Sequence, residues 1–263
     1  MIGRAAALKR GAWGLLSRGA WSALGVGVIL AAWALGHRLY GPFVLPAPEA
    51  AARELIDLFR SGAAERALGS TLAQSLLGYA AGATIGFVAG VSAAAVEPVA
   101  LALQPVAVLL IGMPPVAWLV LALLWFGPDG AAPAFTVAIT VAPLIFAGAL
   151  QGLLSRDAGL DEMAQTFRAP LRQRVADVLA PQMAAHLAPA AAAALGFSWK
   201  VCVMAEVMAN GTGIGGELSV ARAHLDLEQA MAWILLILIL VLAGDAALMA
   251  PLRAFARRVR PAG

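Results

Sequence analysis

Three ionisable residues inside long apolar stretches are the first candidates for chemistry. Lys200 and Glu206 fall in or at the edge of the apolar block 184–206, and Asp245 falls in the block 230–250. A charge buried in hydrocarbon is costly, so such residues often have a function. Lys200 and Glu206 are six residues apart, about 240° around a helix, and so do not pair on one face. Lys200 could attract an anion in a pathway or neutralise a carboxylate on a neighbouring helix, and we favour the second, structural role.

Enzymatic chemistry finds little support in the sequence. The phosphate-binding pattern G-x-x-x-x-G-K-[ST] is absent, because Lys9 and Lys200 lack its glycine context. Residues 211–216 satisfy G-x-G-x-x-G but follow an apolar block rather than a strand, so we interpret them as a flexible turn rather than a dinucleotide site. No cluster of acidic residues, histidines or a Ser–Lys pair indicates catalysis, and no catalytic residue is predicted. Metal binding is not predicted either, because three separate segments carry the histidines His37, His186 and His224.

The composition is that of a membrane protein. Of the 263 residues, 62% are apolar and 13% are charged, whereas a soluble domain has roughly 25% charged residues. The net charge of +3 does not indicate a nucleic-acid partner, because the basic residues lie at the ends of apolar blocks. One cysteine, Cys202, excludes a disulfide framework within the chain.

Six apolar blocks have the length of membrane-spanning helices, which need about 20 residues each. Strands of a membrane barrel would alternate apolar and polar residues instead. The first block follows basic residues, as a signal peptide does, but its length favours a retained span. The sequence therefore predicts an all-α membrane protein with six transmembrane helices, near 20–39, 68–96, 99–126, 131–151, 184–206 and 230–250.

The distribution of Lys and Arg predicts the orientation, because basic residues concentrate on the cytoplasmic side. Twelve lie in the N-terminal segment, in residues 152–182 and in the tail, against four in the alternate connections. Both termini are therefore predicted to be cytoplasmic. The predicted regions are a basic N-terminus at 1–19, a six-span domain at 20–251 and a basic tail at 252–263. The short connection at Glu97 is a misfit, since it has no basic residue.

Glycines and prolines mark special positions in two of the predicted spans. Four glycines at a spacing of four predict close helix packing, either within one chain or between chains: Gly78, Gly82, Gly86 and Gly90. In the third span, Pro105 and the pair Pro114-Pro115 should bend the helix. Such a bend could line a pathway or be a structural kink.

Two polar segments interrupt the apolar pattern. Residues 49–60 predict a short amphipathic helix outside the bilayer, or a solvated loop helix without a partner. In residues 152–182, Asp161 and Glu162 can open a helix through 162–167. Pro170 suits the start of a second short helix that ends near Leu179, before Pro181. Phe167 and Leu171 would then be exposed at the corner between the two helices.

This second segment resembles the EAA loop of permease subunits of binding-protein-dependent ABC importers. Glu162-Met163-Ala164, position 168 and residues 178–181 have the spacing of that loop. The sequence departs from the pattern at Met163, where alanine is usual, and at Arg168, where glycine is usual. Further segments are similar to the nitrate/sulfonate/taurine branch: 45–48, 114–115, 124–127, 205–208 and 211–215. The resemblance as a whole runs from about Trp33 to Ala254.

The resemblance implies a fold like that of type I ABC importers and a location in the bacterial inner membrane, in contact with lipid. The loop at 152–182 would bind a separate ATPase subunit, and ATP and Mg would be bound there, since no cofactor is expected on this chain. A periplasmic binding protein would deliver a small anion such as a sulfonate, nitrate or a related organic compound. The other half of the pore would be a second copy or a paralogue. The expected ATPase-coupling residues are Asp161, Glu162, Ala164, Phe167, Arg168, Ala169, Pro170, Leu171 and Pro181.

Pathway candidates are fewer, and they come from the residues themselves. They are Pro114, Pro115, Lys200 and Glu206. The alternative to an ABC permease is an ion-coupled secondary transporter that acts without an ATPase. The few acidic residues within the spans, and the inner loop that such a transporter would not need, argue against it.

Overall fold

The computed structural model describes residue 21 and residues 23–127, 131–209 and 211–259, without the side chains at 245 and from 248 onward. The predicted N-terminal segment 1–19 and the connection at 128–130 lie outside the described residues. Within the described ranges all regular structure is helical, as the composition predicts.

The helices follow one another with short connections. In chain order they are α1 (Ala23–Tyr40), α2 (Pro48–Arg60), α3 (Ala63–Ala95), α4 (Glu97–Gly112), α5 (Pro115–Phe126), α6 (Ala131–Leu154), α7 (Ala158–Thr166), α8 (Leu171–Gln173), a π-helical segment (Arg174–Leu179), α9 (Ala180–Ala209), α10 (Ile214–Ala223) and α11 (Leu227–Val259). Among the described residues, five helical stretches are long and apolar enough to cross a membrane: α1, α3, α6, the stretch containing α9, and α11. A count of six requires α4 and α5 to form one bent span.

The glycine run packs α3 directly onto α6. All four of its glycines are buried, and a Cβ added to any of them would meet the α6 helix. At Gly82 and Gly86 the obstructing atoms are backbone atoms of Ala138 and Ala142, and at Gly90 the added Cβ would lie 2.8 Å from the Phe146 carbonyl oxygen. The packing predicted for this run is thus found within one chain.

The opposite face of α6 packs as closely on α9. A Cβ added at Gly148 would lie 2.6 Å from Cβ of Ala190, and one added at Gly152 would lie 2.9 Å from the Met183 carbonyl oxygen. Between these faces, Val137, Val141 and other buried side chains form a core with residues of α9. Helix α6 is therefore held between α3 and α9.

The third predicted span is broken rather than curved. Helix α4 ends at Gly112 and α5 begins at Pro115, and their axes differ by 96°. Pro115 is in the first turn of α5, where a missing N–H costs nothing, and Pro114 is the extended residue before it. Pro105 stays inside α4, so the proline pair makes the break.

The predicted amphipathic helix at 49–60 is α2, and it has a partner. Its Leu58 is buried with Ala64 of α3 and with Trp233 and Leu236 of α11. This contact excludes a loop helix without a partner. The turn before α2 is fixed to α1, because Trp33 Nε1 donates to the Pro46 carbonyl at 2.9 Å and His37 Nδ1 lies 2.8 Å from the Leu45 carbonyl oxygen.

Candidate coupling loop and pathway helix

The segment between α6 and α9 begins with a tethered turn. The Asp157 carboxylate accepts a hydrogen bond from the Gly159 amide at 2.8 Å and so caps α7. The Asp157 amide donates to Oε1 of Gln182 in α9 at 2.6 Å. Helix α7 therefore begins at Ala158 rather than at the predicted residue 162. The prediction was wrong because Asp157, and not Asp161, caps the helix; Asp161 forms an ion pair with Arg156 at 3.5 Å.

A Schellman motif ends α7. The Ala169 amide donates to the Ala164 carbonyl at 3.0 Å, and the Arg168 amide donates to the Gln165 carbonyl at 2.9 Å. This motif requires a left-handed residue, and Arg168 provides it with φ 50°. Glycine adopts this conformation without cost, whereas a residue with a Cβ is strained there. The sequence predicts this position as the turn, and the structure places a strained arginine at it.

Two large apolar side chains project from the corner that this motif creates. Phe167 is 79% exposed and Leu171 is 73% exposed. Pro170 lies between them in an extended conformation and caps α8. Of the other predicted coupling residues, Ala164 is buried beneath the corner, whereas Glu162 and Pro181 are exposed on its flanks. The exposure predicted for Phe167 and Leu171 is confirmed.

The second helix of the loop does not end before Pro181. Helix α8 continues through the π-helical segment Arg174–Leu179 directly into α9, so the predicted end near Leu179 is wrong. Proline removes a backbone donor and its ring crowds the carbonyl four residues earlier. The π-helical turn before Pro181 has a wider spacing, and we attribute the uninterrupted helix to this. The helix therefore runs without a break from Leu171, at the corner, into the long helix α9.

Glu206 is fully buried near the other end of α9. Its Oε2 atom accepts hydrogen bonds from Thr71 Oγ1 of α3 at 2.9 Å and from the Gly215 amide of α10 at 3.1 Å. Thr71 Oγ1 in turn accepts from the Ile214 amide at 3.0 Å. The carboxylate thus sits at the N-terminus of α10, where a negative charge is favourable, and joins three helices.

The glycines of the G-x-G-x-x-G segment form the space that holds this carboxylate. Gly213 has φ 128° and a Cβ there would overlap the Glu206 carboxylate. A Cβ at Gly215 would lie 2.7 Å from Cβ of Glu206. This segment is more closely packed than the predicted flexible turn.

Sequence reasoning missed Thr71, although a signal was present. Thr71 and Ser75 are four residues apart and Ser75 is three residues before Gly78, so both lie on the same buried face of α3 as the glycines. Polar side chains on such a face need polar partners. Ser75 donates to Ser198 of α9 at 3.1 Å, as Thr71 donates to Glu206.

The four pathway candidates have different surroundings. Pro114 and Pro115 form the break between α4 and α5, and Glu206 is buried at the junction of α3, α9 and α10. Lys200 is exposed on α9. No hydrogen bond joins any two of them within the part of the chain that the structure describes.

The long apolar helices, the sharply bent pair α4–α5 and the projecting corner are the arrangement of a membrane permease. The chain belongs to the family of binding-protein-dependent transport system inner membrane components, whose model matches residues 82–261. Members of this family are permease subunits of ABC importers rather than enzymes, and the chain is a multi-pass protein of the inner membrane.

Named relatives cover most of the chain. It is 26% identical over 211 residues to the putative aliphatic sulfonates transport permease protein SsuC of Bacillus subtilis (strain 168), covering 80% of this chain and 76% of the relative. It is 25% identical over 243 residues to the taurine transport system permease protein TauC of Escherichia coli (strain K12), covering 90% and 87%. These relatives confirm the sulfonate/taurine branch that the motifs indicate.

Two solved ABC transporters share the fold. An amino acid ABC transporter with histidines superposes with a TM-score of 0.59 at 20% identity, covering 78% of this chain and 97% of that one. The inward-facing MetNI methionine transporter superposes with a TM-score of 0.52 at 19% identity, covering 73% and 92%. At these identities the likeness concerns the fold alone.

Proposed function

We propose that this chain forms half of the translocation pathway of an ATP-driven importer and is coupled to a separate ATPase through residues 152–182. The observation that carries the proposal is the corner at Phe167 and Leu171. Two large apolar side chains this exposed in a polar segment form a surface that suits a protein partner. In this arrangement the corner and both chain termini face the cytoplasm, where the ATPase binds its ATP and Mg.

The corner is connected to α9 in such a way that a movement of the corner would displace the helix. The tie between Asp157 and Gln182 fixes the start of the loop to α9, and the Schellman motif fixes the angle at Arg168. Helix α9 continues from the corner without interruption. A movement of the bound ATPase would therefore displace α9, which contacts α3, α6, α10 and α11, and with it the pathway.

We further propose that the cargo is a small sulfonate-type anion, delivered by a periplasmic binding protein. Two relatives that cover most of the chain are named for aliphatic sulfonates and for taurine. The other half of the pathway is a second copy of this chain or a paralogue, since two-fold symmetric dimers are the commonest oligomers of soluble proteins and the same symmetry suits two half-pores.

The decisive experiment is co-purification of the tagged chain with the ATPase encoded beside it. Phe167→Asp should abolish association, because it places a charge in an apolar contact. Leu225→Asp is the matched control: Leu225 is as exposed, at 82%, but lies at the opposite end of the bundle. Should Phe167→Asp retain the ATPase, or uptake of taurine persist after depletion of ATP, the coupling role is wrong and a secondary transporter becomes the better explanation.

A further inference from the structure

Helix α9 has one stripe that no described helix covers. It contacts α3, α5, α6, α10 and α11, and most of its far half is buried, from Ala192 through Ala209. The uncovered stripe follows the spacing of a single helix face. Its exposed residues are Pro189, Ala193, Phe197, Lys200 and Met208.

Lys200 lies at a depth in the bilayer where contact between a charged group and lipid hydrocarbon is unfavourable. It is nine residues from the end of α9, about 14 Å along a helix, and so lies well inside the apolar part of the span. An ammonium group near the centre of a bilayer costs about 2.5–3.5 kcal/mol or more. The stripe that carries Lys200 therefore faces water or another protein surface rather than hydrocarbon.

No carboxylate among the described side chains neutralises Lys200. The ion pairs formed by those side chains are Arg60 with Asp57 and Arg156 with Asp161. The nearby carboxylate of Glu206 is buried on another face of α9 and bonded to Thr71 and Gly215. Lys200 is thus a cation on an uncovered face of a central helix, and none of the described side chains forms an ion pair with it.

We propose that Lys200 is the anion-binding residue of the translocation pathway and that it takes the sulfonate group of the passing substrate. This inference rests on the proposed function, in which two half-pores enclose the pathway. Two copies would bring two Lys200 ammonium groups to the shared space, and two cations that no described carboxylate neutralises attract a small anion. A lysine suits a transient site, because its flexible stem can follow the anion and then release it.

Water access to this position is the first test. In the assembled complex, Lys200→Cys is combined with Cys202→Ala and treated with the charged thiol reagent 2-sulfonatoethyl methanethiosulfonate. The new thiol should react, and millimolar ethanesulfonate should slow the reaction. The unsubstituted chain is the control, since its Cys202 is fully buried two residues away. A Lys200→Cys thiol that stays unmodified overturns the proposal.

Transport is the second test, with the permease, its ATPase and its binding protein reconstituted in liposomes. Uptake of taurine and ethanesulfonate is measured for the unsubstituted chain, Lys200→Arg and Lys200→Gln. Lys200→Gln should lower the uptake rate about tenfold or more, because it removes the charge, whereas Lys200→Arg should stay within about threefold. Unchanged uptake by Lys200→Gln overturns this inference and leaves the proposed function intact. Absence of ATP-dependent uptake by the unsubstituted chain overturns the proposed function itself.

If Lys200 instead has a structural role and neutralises a carboxylate on a neighbouring helix, a different result is expected. Helix α11 adjoins this region, because a Cβ added at Gly244 would lie 2.9 Å from Trp199, and Asp245 is the next residue. If Lys200→Gln disrupts assembly and the added change Asp245→Asn restores it, the lysine neutralises a carboxylate and the proposal is wrong. Normal assembly of Lys200→Gln with reduced uptake supports the pathway role.

Discussion

Thr71 Oγ1 of α3 lies 2.9 Å from Glu206 Oε2 of α9, and this contact joins two residues that are 135 positions apart in sequence. Both residues are fully buried. The hydroxyl donates to the carboxylate and accepts from the Ile214 amide, so it connects α9 to α10 as well as to α3.

Thr71→Val should therefore destabilise the protein by about 1–3 kcal/mol, because it leaves a buried carboxylate and a buried amide each without one partner. The measurement is thermal unfolding of the detergent-solubilised chain. Thr84→Val is the control: Thr84 is exposed on the same helix and its hydroxyl bonds only to the Ala80 carbonyl. Equal stability of the two variants would contradict the role of Thr71.

Arg168→Gly should stabilise the loop by about 1 kcal/mol, because glycine adopts the left-handed conformation without the cost of a Cβ. Arg168→Ala is the matched comparison, since it removes the same charge but keeps the Cβ in the strained position. The gain should appear for glycine and not for alanine in thermal unfolding. If both variants gain equally, the effect comes from the charge and not from the backbone.

Gly82→Ala should prevent close packing of α3 on α6, because the added methyl group would overlap the Ala138 backbone. Backbone cannot move aside as a flexible side chain can, so we expect a loss of at least about 1–3 kcal/mol or failure to fold. Gly69→Ala on the same helix has nothing within 4 Å of the added Cβ. That change should be neutral or stabilising by up to about 1 kcal/mol, and a gel-filtration assay with fluorescent detection distinguishes the two.

The pKa of Glu54 predicts a pH effect at the end of the bundle that carries α2. Burial and the negative charges of Asp226, Asp57 and Glu228 raise the pKa of Glu54 above its ordinary value of about 4.5. The folded chain therefore holds this proton to higher pH than the unfolded chain, so stability falls as pH rises from the ordinary pKa to the raised one. At a pH above the raised pKa of Glu54, the loss of stability caused by its ionisation is complete.

Glu54→Gln should therefore be more stable than the unsubstituted chain at neutral pH, with a difference that vanishes below about pH 4. Added salt should shrink the neutral-pH difference, because much of the repulsion is between partly exposed charges. Thermal unfolding between pH 4 and 8 measures this. A difference that grows as pH falls would contradict the sign.

The sequence predicts most of the architecture, because apolar length, glycine spacing and proline pairs act locally. The four glycines from Gly78 to Gly90 indicated close packing and needed only a partner helix. The proline pair at Pro114 predicted a bend, and the structure has a change of direction of 96° there. The predicted start of α7 was wrong because, on local grounds, the helix could begin either at Asp157 or at Asp161-Glu162. The hydrogen bond from the Asp157 amide to Gln182 of α9 decides between them, and it depends on the tertiary structure.

The surroundings of Glu206 were beyond prediction for another reason. Its partners lie in α3 and α10, and their approach depends on how three helices pack. The glycines at 213 and 215 gave a visible signal, but a glycine pattern alone does not name the side chain that it makes room for. The same limit applies to Lys200, whose uncovered face follows from the positions of five other helices.

Helix α6 lies in close contact with both α3 and α9, and this arrangement restricts relative sliding of the three helices. Glycines on α3 and α6 bring backbone or Cβ atoms of the facing helix into close contact on both faces of α6, so sliding of one of the three helices past another would bring these atoms into collision. We therefore expect these three helices to move together as one unit. The conformational change that the proposed function requires would then take place between this unit and the other helices, or between the two halves of the proposed pathway.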